Sequence, residues 1–142
     1  MRLRLIILVI GILNFSNSFF AQGTVKGKLC FPSYYIPEMT VYLKNVQSNE
    51  ILKLKIKEDE RSFKFKNVPK GKYVAYAYTL DEIITDKNGN TTKGKGGYTQ
   101  LVPCGLSVEC KDHSLIQFEV ISNKKTKGID ICDWYDAEIP KE

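Results

Sequence analysis

The residues best suited to chemistry lie together between Cys104 and His113. Cys104 and Cys110 are two of the four cysteines, and His113, which follows Asp112, is the only histidine of the chain. Two thiolates, an imidazole and a carboxylate form a donor set that zinc accepts. In an oxidising compartment the two cysteines would instead form a disulfide, which removes both sulfurs from metal binding. The compartment therefore decides between a metal site and a structural clip.

The first 21 residues predict a secretory signal peptide. Arg2 and Arg4 precede an apolar run from Leu5 to Leu13, and Ala21 provides a small residue for cleavage. The apolar run is shorter than the roughly 20 residues of a membrane-spanning helix. We therefore expect residues 22–142 to form one domain that is secreted, periplasmic or at the cell surface, without membrane insertion.

Export makes disulfides the expected state of the cysteines. Four cysteines allow three pairings. We favour Cys104 with Cys110 as a short clip, and Cys30 with Cys132 as a tie between the first and last strands. Metal binding through Cys104, Cys110 and His113 is kept as the less favoured alternative, and no cofactor is expected.

Alternation of apolar and polar residues predicts about seven short strands and no amphipathic helix. The predicted strands are Thr24–Phe31, Met39–Val46, Ile51–Ile56, Phe63–Lys66, Tyr73–Tyr78, Leu115–Val120 and Lys127–Tyr135. Because Tyr73–Tyr78 is apolar on both faces, we place it at the centre of its sheet. The polar segment 81–97 is predicted to be an exposed, mobile loop around an Asn88-Gly89 turn. Regularly spaced short strands favour an antiparallel β-sandwich.

The charge of the predicted mature chain is modest. Removing Arg2 and Arg4 from the 21 basic residues leaves 19 against 16 acidic ones, a formal charge of +3. These charges alternate along the strands, and no basic stripe with interleaved aromatic residues is evident. The sequence therefore does not predict binding to nucleic acid.

Three stretches resemble the carboxypeptidase regulatory-like domains, which are small transthyretin-like (prealbumin-like) β-sandwiches. They are Gly23-Thr24-Val25-Lys26-Gly27, Met39-Thr40-Val41-Tyr42 and the hairpin from Phe63 through Pro69-Lys70-Gly71 to Tyr73. The turn of this hairpin also occurs in carbohydrate-binding-like sandwiches such as starch-binding-like domains. The segment from Gly96 to Leu115, with Asp133-Trp134-Tyr135, resembles a subgroup of exported bacterial proteins. The resemblance implies an accessory, non-catalytic module.

We accordingly expect a monomeric module with a binding or structural interaction role, whose partner is an unidentified protein or glycan. The alternative is carbohydrate binding, in which Tyr34, Tyr35, Tyr98 and Trp134 stack on sugar rings. The expected contact surface is the end of the domain that carries Tyr34, Tyr35 and the 81–114 region, because binding residues gather on loops.

Enzymatic activity is not expected. His113 is the only histidine, and no serine or cysteine near it has the local pattern of an activated nucleophile. We expect Asp112 to accept local backbone N–H bonds and fix its turn, and His113 to pack against Trp134.

Overall fold

A computed structural model describes residues 22–85, 87–135 and 137–141, and these residues form strands and loops without a helix. The eight strands are β1 (Gln22–Lys28), β2 (Met39–Asn45), β3 (Ile51–Ile56), β4 (Ser62–Pro69), β5 (Gly71–Thr85), β6 (Thr91–Gly97), β7 (Phe118–Val120) and β8 (Lys125–Thr126). They form two sheets, so the all-β prediction is confirmed. The predicted signal peptide, residues 1–21, lies outside the described residues. Within those residues, no helix is long and apolar enough to cross a membrane.

The first sheet has the order β4-β1-β8. Strand β1 pairs antiparallel with β4, and a bulge lies between Gly23 and Val25. On its other side β1 pairs in parallel with β8, and the parallel contact continues as the Leu29–Ile131 bridge. The expectation of purely antiparallel pairing is therefore wrong here, because the chain returns beside β1 in the same direction.

The second sheet has the order β3-β2-β5-β6, and β7 also pairs with β5. Strand β5 therefore has β2 on one side and both β6 and β7 on the other, as its apolar sequence predicts. Its alternate residues point to opposite faces. Ala75 and Ala77 are fully buried in the core cluster, whereas Tyr76 stacks on Tyr42 of β2.

The segment 81–97 is not a mobile loop, which corrects the sequence prediction. Strand β5 continues to Thr85 and pairs with β6, where Glu82 lies opposite Lys93 and Ile84 opposite Thr92. Both strands of this hairpin are largely exposed between residues 81 and 93, so no face had to be apolar and the alternation signal was absent.

The last predicted strand, Lys127–Tyr135, is also corrected. It is reduced to isolated bridges, Leu29 with Ile131 and Gly97 with Asp133, and the strand β8 before it has only two residues. Ile129, Ile131 and Asp133 are nevertheless all buried, as the alternation requires. Residues 137–141 then follow the second sheet, where Ala137 lies near Gly97 and the Tyr78 hydroxyl donates to the Pro140 carbonyl.

One apolar cluster holds the two sheets together. It combines β1 and β4 side chains of the first sheet with β2 and β5 side chains of the second, including Val25, Phe65, Val41, Leu43 and Ala75. The Cys30–Cys132 disulfide lies next to the Leu29–Ile131 bridge, with the two Cα atoms 4.6 Å apart. It thus ties the end of β1 to the chain that returns beside it.

Candidate functional site

A loop of residues 100–114 leaves the edge of the second sheet and returns to it. The loop is closed at its base by the Thr99–Leu115 bridge and by the hydrogen bond from Gln100 N to Ser114 O. Gly105 and Leu106 both have positive φ, so they reverse the chain within the loop. Cys104 and Cys110 form a disulfide with Cα atoms 6.3 Å apart. We call residues 100–114 the clipped loop.

A fully buried carboxylate lies at the base of the clipped loop. One oxygen of Asp133, Oδ2, accepts from the Thr99 hydroxyl at 2.7 Å and lies 2.8 Å from Nδ1 of His113. Its other oxygen, Oδ1, accepts from the Tyr135 backbone N–H at 3.2 Å. Each carboxylate oxygen therefore has a partner, which is what a carboxylate without solvent requires.

His113 is held by Asp133 and is only partly buried, with 22% of its side chain exposed. Because a carboxylate accepts hydrogen bonds, Nδ1 carries the proton, and Nε2 is the ring nitrogen that remains for a ligand. This pairing with Asp133 is a contact of His113 that the sequence did not predict, and the packing of His113 on Trp134 stays a prediction. Glu138 N also donates to the His113 carbonyl, which joins the backbone of His113 to the chain after Asp133.

Asp112 fixes its turn, as the sequence predicts. The Ser114 hydroxyl donates to Asp112 Oδ1 at 2.6 Å and the Ser114 N–H donates to the same oxygen at 2.9 Å. These two bonds, the hydroxyl first, lower the pKa of Asp112 below its ordinary value. Its carboxylate therefore serves the turn and does not line the cavity beside it.

The clipped loop and the chain after Asp133 enclose an open cavity of about 650 Å³. Its lining combines apolar side chains with one cation and the imidazole, namely Leu101, Leu106, Ser107, Val108, Cys110, Lys111, His113 and Tyr135. Val108 is 96% exposed and Tyr135 is 66% exposed. The volume lies within the range of small-molecule sites, and polar groups among apolar walls are typical of such sites. We call this the loop pocket.

The four aromatic residues proposed for sugar stacking do not form one platform. Trp134 packs edge-on against Phe31 at a centroid distance of 4.9 Å, and its buried Nε1 has no hydrogen-bond partner among the described residues. Tyr98 packs against Phe118. Both rings therefore belong to the border of the core.

Tyr34 and Tyr35 remain on the surface, in different depressions. Tyr34 is fully exposed and lines an open depression of about 460 Å³ with Phe31, Pro32 and Ser33. Tyr35 lines another, of about 280 Å³, with Asp81 and Ile83 among its neighbours. Neither depression shares a lining residue with the loop pocket. The single contact surface expected from Tyr34, Tyr35 and the 81–114 region is thus divided.

The two cysteine thiolates of the donor set proposed for zinc are not available for metal binding. Cys104 and Cys110 are joined to each other, so neither sulfur is a free thiolate. Across the described residues, no group of three or more His, Cys, Asp and Glu side chains is placed to hold a metal ion.

Asp133 is the site residue that sequence reasoning missed. The signal was present, because Ile129, Ile131 and Asp133 occupy alternate positions and therefore the same inward face. A carboxylate at an inward position requires buried donors, and His113 is the one histidine that can supply such a donor.

No known family and no curated protein matches this chain. Among solved structures, a leucine-rich repeat protein from Bacteroides thetaiotaomicron VPI-5482 is similar, with 15% sequence identity and a TM-score of 0.42. The similarity covers 84% of this chain and 15% of that structure, so the chain spans a small part of the larger protein.

Proposed function

We propose that this chain is an exported, non-catalytic β-sandwich of the transthyretin-like, carboxypeptidase regulatory-like type, and that it binds a ligand or partner protein through the loop pocket. Two sheets with a shared apolar core and two disulfides support the sandwich and the oxidising compartment. We also propose that the protein is a monomer.

The main observation in favour of a binding role is that exposed apolar side chains surround the loop pocket. A disulfide constrains the loop that forms this pocket. Leu106, Val108 and Tyr135 are exposed by 43%, 96% and 66%, and they surround one cavity instead of being scattered over the surface. Exposed apolar groups that gather at a concave site mark binding surfaces. The Cys104–Cys110 bond limits the conformations of the loop that carries two of them, which lowers the entropy lost on binding.

The proposal of a non-catalytic role rests on the surroundings of His113. In a hydrolase with an activated nucleophile, a carboxylate orients a histidine base, and the base activates a serine or cysteine. The His113–Asp133 pair corresponds to the carboxylate and the base of such a site. Ser107 is the one aliphatic hydroxyl in the pocket lining, and its oxygen accepts from the Glu109 backbone N–H. In the described residues no hydrogen bond joins His113 to a serine, threonine or cysteine side chain, which supports a non-catalytic role.

The experiment uses the anionic apolar dye 8-anilinonaphthalene-1-sulfonate as a probe of the loop pocket. We expect dye fluorescence with the native protein, and a several-fold weaker affinity for the double variant Leu106→Ser with Val108→Ser. Ile84→Ser is the matched control, since Ile84 is 46% exposed on the β5–β6 hairpin and lines no part of the loop pocket. Equal dye affinity for the double variant and the control would contradict the proposal.

A hydrolysis assay separates the non-catalytic proposal from an enzyme. We expect the turnover of p-nitrophenyl acetate to be the same for the native protein and His113→Ala. A native rate well above that of His113→Ala would contradict the non-catalytic part of the proposal and leave the binding part to the dye experiment.

Carbohydrate binding is the second candidate, now centred on Tyr34. Its ring is fully exposed beside Phe31 in an open depression, which suits stacking on a pyranose face. The test is retention on insoluble polysaccharides of the native protein and of Tyr34→Ala. Retention that is unchanged in Tyr34→Ala would exclude this candidate, and Tyr35→Ala serves as the control because Tyr35 lines a different depression.

A further inference from the structure

The outer face of the first sheet collects lysines that are far apart in sequence. The strand register puts Lys26 of β1 directly opposite Lys64 of β4. Lys66 follows two residues after Lys64 and so points to the same side of the sheet. On the other side of β1, Lys125 of β8 is paired with Thr24. We call Lys26, Lys64, Lys66 and Lys125 the basic face.

No acidic residue neutralises the basic face from within its own sheet. The three strands β1, β4 and β8 contain no Asp or Glu. Within the described residues, none of the four lysines has a salt bridge, and three of them are exposed while Lys26 is half-buried. Outside these strands, the Asp130 carboxylate accepts from the backbone N–H of Lys28, and the Glu119 backbone carbonyl accepts from the Thr126 hydroxyl.

The lysines are close enough to act on one another. Repulsion by Lys26, then by Lys66 and, more weakly, Lys125 lowers the pKa of Lys64 below its ordinary value. Like charges directly opposite each other on neighbouring strands destabilise a sheet. Lys26 and Lys64 form such a pair, and Lys66 and Lys125 add to the repulsion. An arrangement that works against the stability of its own sheet is typical of functional sites.

We propose that the basic face binds a linear acidic polysaccharide, that is, an extended sugar polymer carrying carboxylate or sulfate groups. Neighbouring strands lie about 4.8 Å apart and alternate residues of a strand about 6.7 Å apart. The face therefore offers several closely spaced cations to a polymer with closely spaced anions. The inference is independent of the loop pocket.

The composition of the basic face favours an acidic polysaccharide over an anionic lipid bilayer or a nucleic acid. None of the large exposed apolar side chains comes from β1, β4 or β8, so the face offers nothing to insert into a lipid bilayer. Its exposed positions also carry no aromatic ring on which a nucleobase could stack, because Phe63 and Phe65 are buried in the core.

The test compares two quadruple variants that change the net charge equally. One replaces the basic face, as Lys26→Gln, Lys64→Gln, Lys66→Gln and Lys125→Gln. The control replaces four exposed lysines elsewhere, as Lys57→Gln, Lys70→Gln, Lys87→Gln and Lys95→Gln. Binding to polygalacturonate and to dextran sulfate is measured by calorimetry at two salt concentrations, with neutral dextran as the uncharged polymer.

We expect the basic-face variant to lose about tenfold or more in affinity for both acidic polymers, and to show a smaller salt dependence than the native protein. The control variant should lose much less, and neutral dextran should not bind. The urea midpoint of the basic-face variant should equal or exceed that of the native protein, since repulsion is relieved, which excludes unfolding as the cause of a lost affinity.

Several results would overturn the proposal. Equal losses in the two quadruple variants would mean that net charge alone, and not this face, binds the polymer. Tighter binding to phosphatidylglycerol vesicles or to duplex DNA than to either acidic polymer would assign the face to another partner. Absence of measurable binding to both polymers at low salt would remove the interaction altogether.

Discussion

Removal of the Cys30–Cys132 disulfide should destabilise the protein far more than removal of the Cys104–Cys110 disulfide. The first bond spans 102 residues and the second spans 6. Closing a loop of about 100 residues stabilises a folded chain by about 4.7 kcal/mol in the chain-entropy estimate, whereas the short loop gives about 2 kcal/mol. Since domains of this size are stable by about 5–15 kcal/mol, the long bond accounts for a large fraction of the total.

The assay is equilibrium unfolding in urea of two double variants, Cys30→Ala with Cys132→Ala, and Cys104→Ala with Cys110→Ala. With a slope of about 2 kcal/mol per molar urea, we expect the midpoint to fall by about 2 M for the first variant and about 1 M for the second. The short-bond variant is the control, because it also removes two sulfurs and one disulfide. Both variants retain one native bond, so both are measured in the oxidised state.

Equal midpoint shifts in the two variants would refute the reasoning. Such a result would mean that the loop length in the unfolded chain does not govern the effect. A larger loss for the short-bond variant would instead indicate that the clipped loop contributes to the stability of the domain as a whole. The dye affinity of the loop pocket, measured on the same two proteins, should fall in the short-bond variant only.

Three further changes test the packing and the charges described above. Gly96→Ala would place a Cβ 2.5 Å from the Trp134 ring, so we expect a loss of about 1–3 kcal/mol in the free energy of unfolding, measured in urea. Asp133→Ala leaves its three donors without their acceptor and should cost about 3 kcal/mol or more, whereas Asp133→Asn, which keeps the shape, should cost less. The turn at Asp112 should weaken in acid: its pKa is lowered from 3.8 in the folded state, so its contribution is complete above that value and is lost as the pH falls through the lower folded value. NMR titration of the Ser114 amide should follow that loss in the native protein and show no such step in Asp112→Asn.

The strands that line the shared apolar core were predictable because burial imposes a pattern on them. Val25 and Gly27 of β1, and Phe63 and Phe65 of β4, alternate with lysines as a half-buried sheet requires. The outer part of the β5–β6 hairpin, beyond Leu80, was not predictable in this way, because residues 81–85 and 91–92 are exposed on both faces of the hairpin. Alternation of apolar and polar residues arises only where one face of a strand is buried, so it gives no signal for a strand that is exposed on both faces.

The candidate site was predictable only in part. Alternation in the sequence predicts the face of a sheet to which a side chain points, but it does not predict which residue the side chain contacts. The turn at Asp112 is local, so its bonds to Ser114 followed from spacing. The pairing of His113 with Asp133 depends on the return of the chain beside Gly97, which no local pattern encodes. The basic face likewise arises from the register between strands, because each strand alone shows only the ordinary alternation of lysines.

The parallel pairing of β1 with β8 has a consequence for the order in which the protein folds. Strand β1 finds its antiparallel partner β4 about 40 residues downstream, but its other neighbour emerges only after Lys124. Until then β1 exposes a row of unpaired backbone N–H and C=O groups, as an open edge strand does. We therefore expect a nascent or truncated chain that stops before β8 to be prone to strand-to-strand aggregation, and the return of residues 124–131 to be the late step that closes this edge.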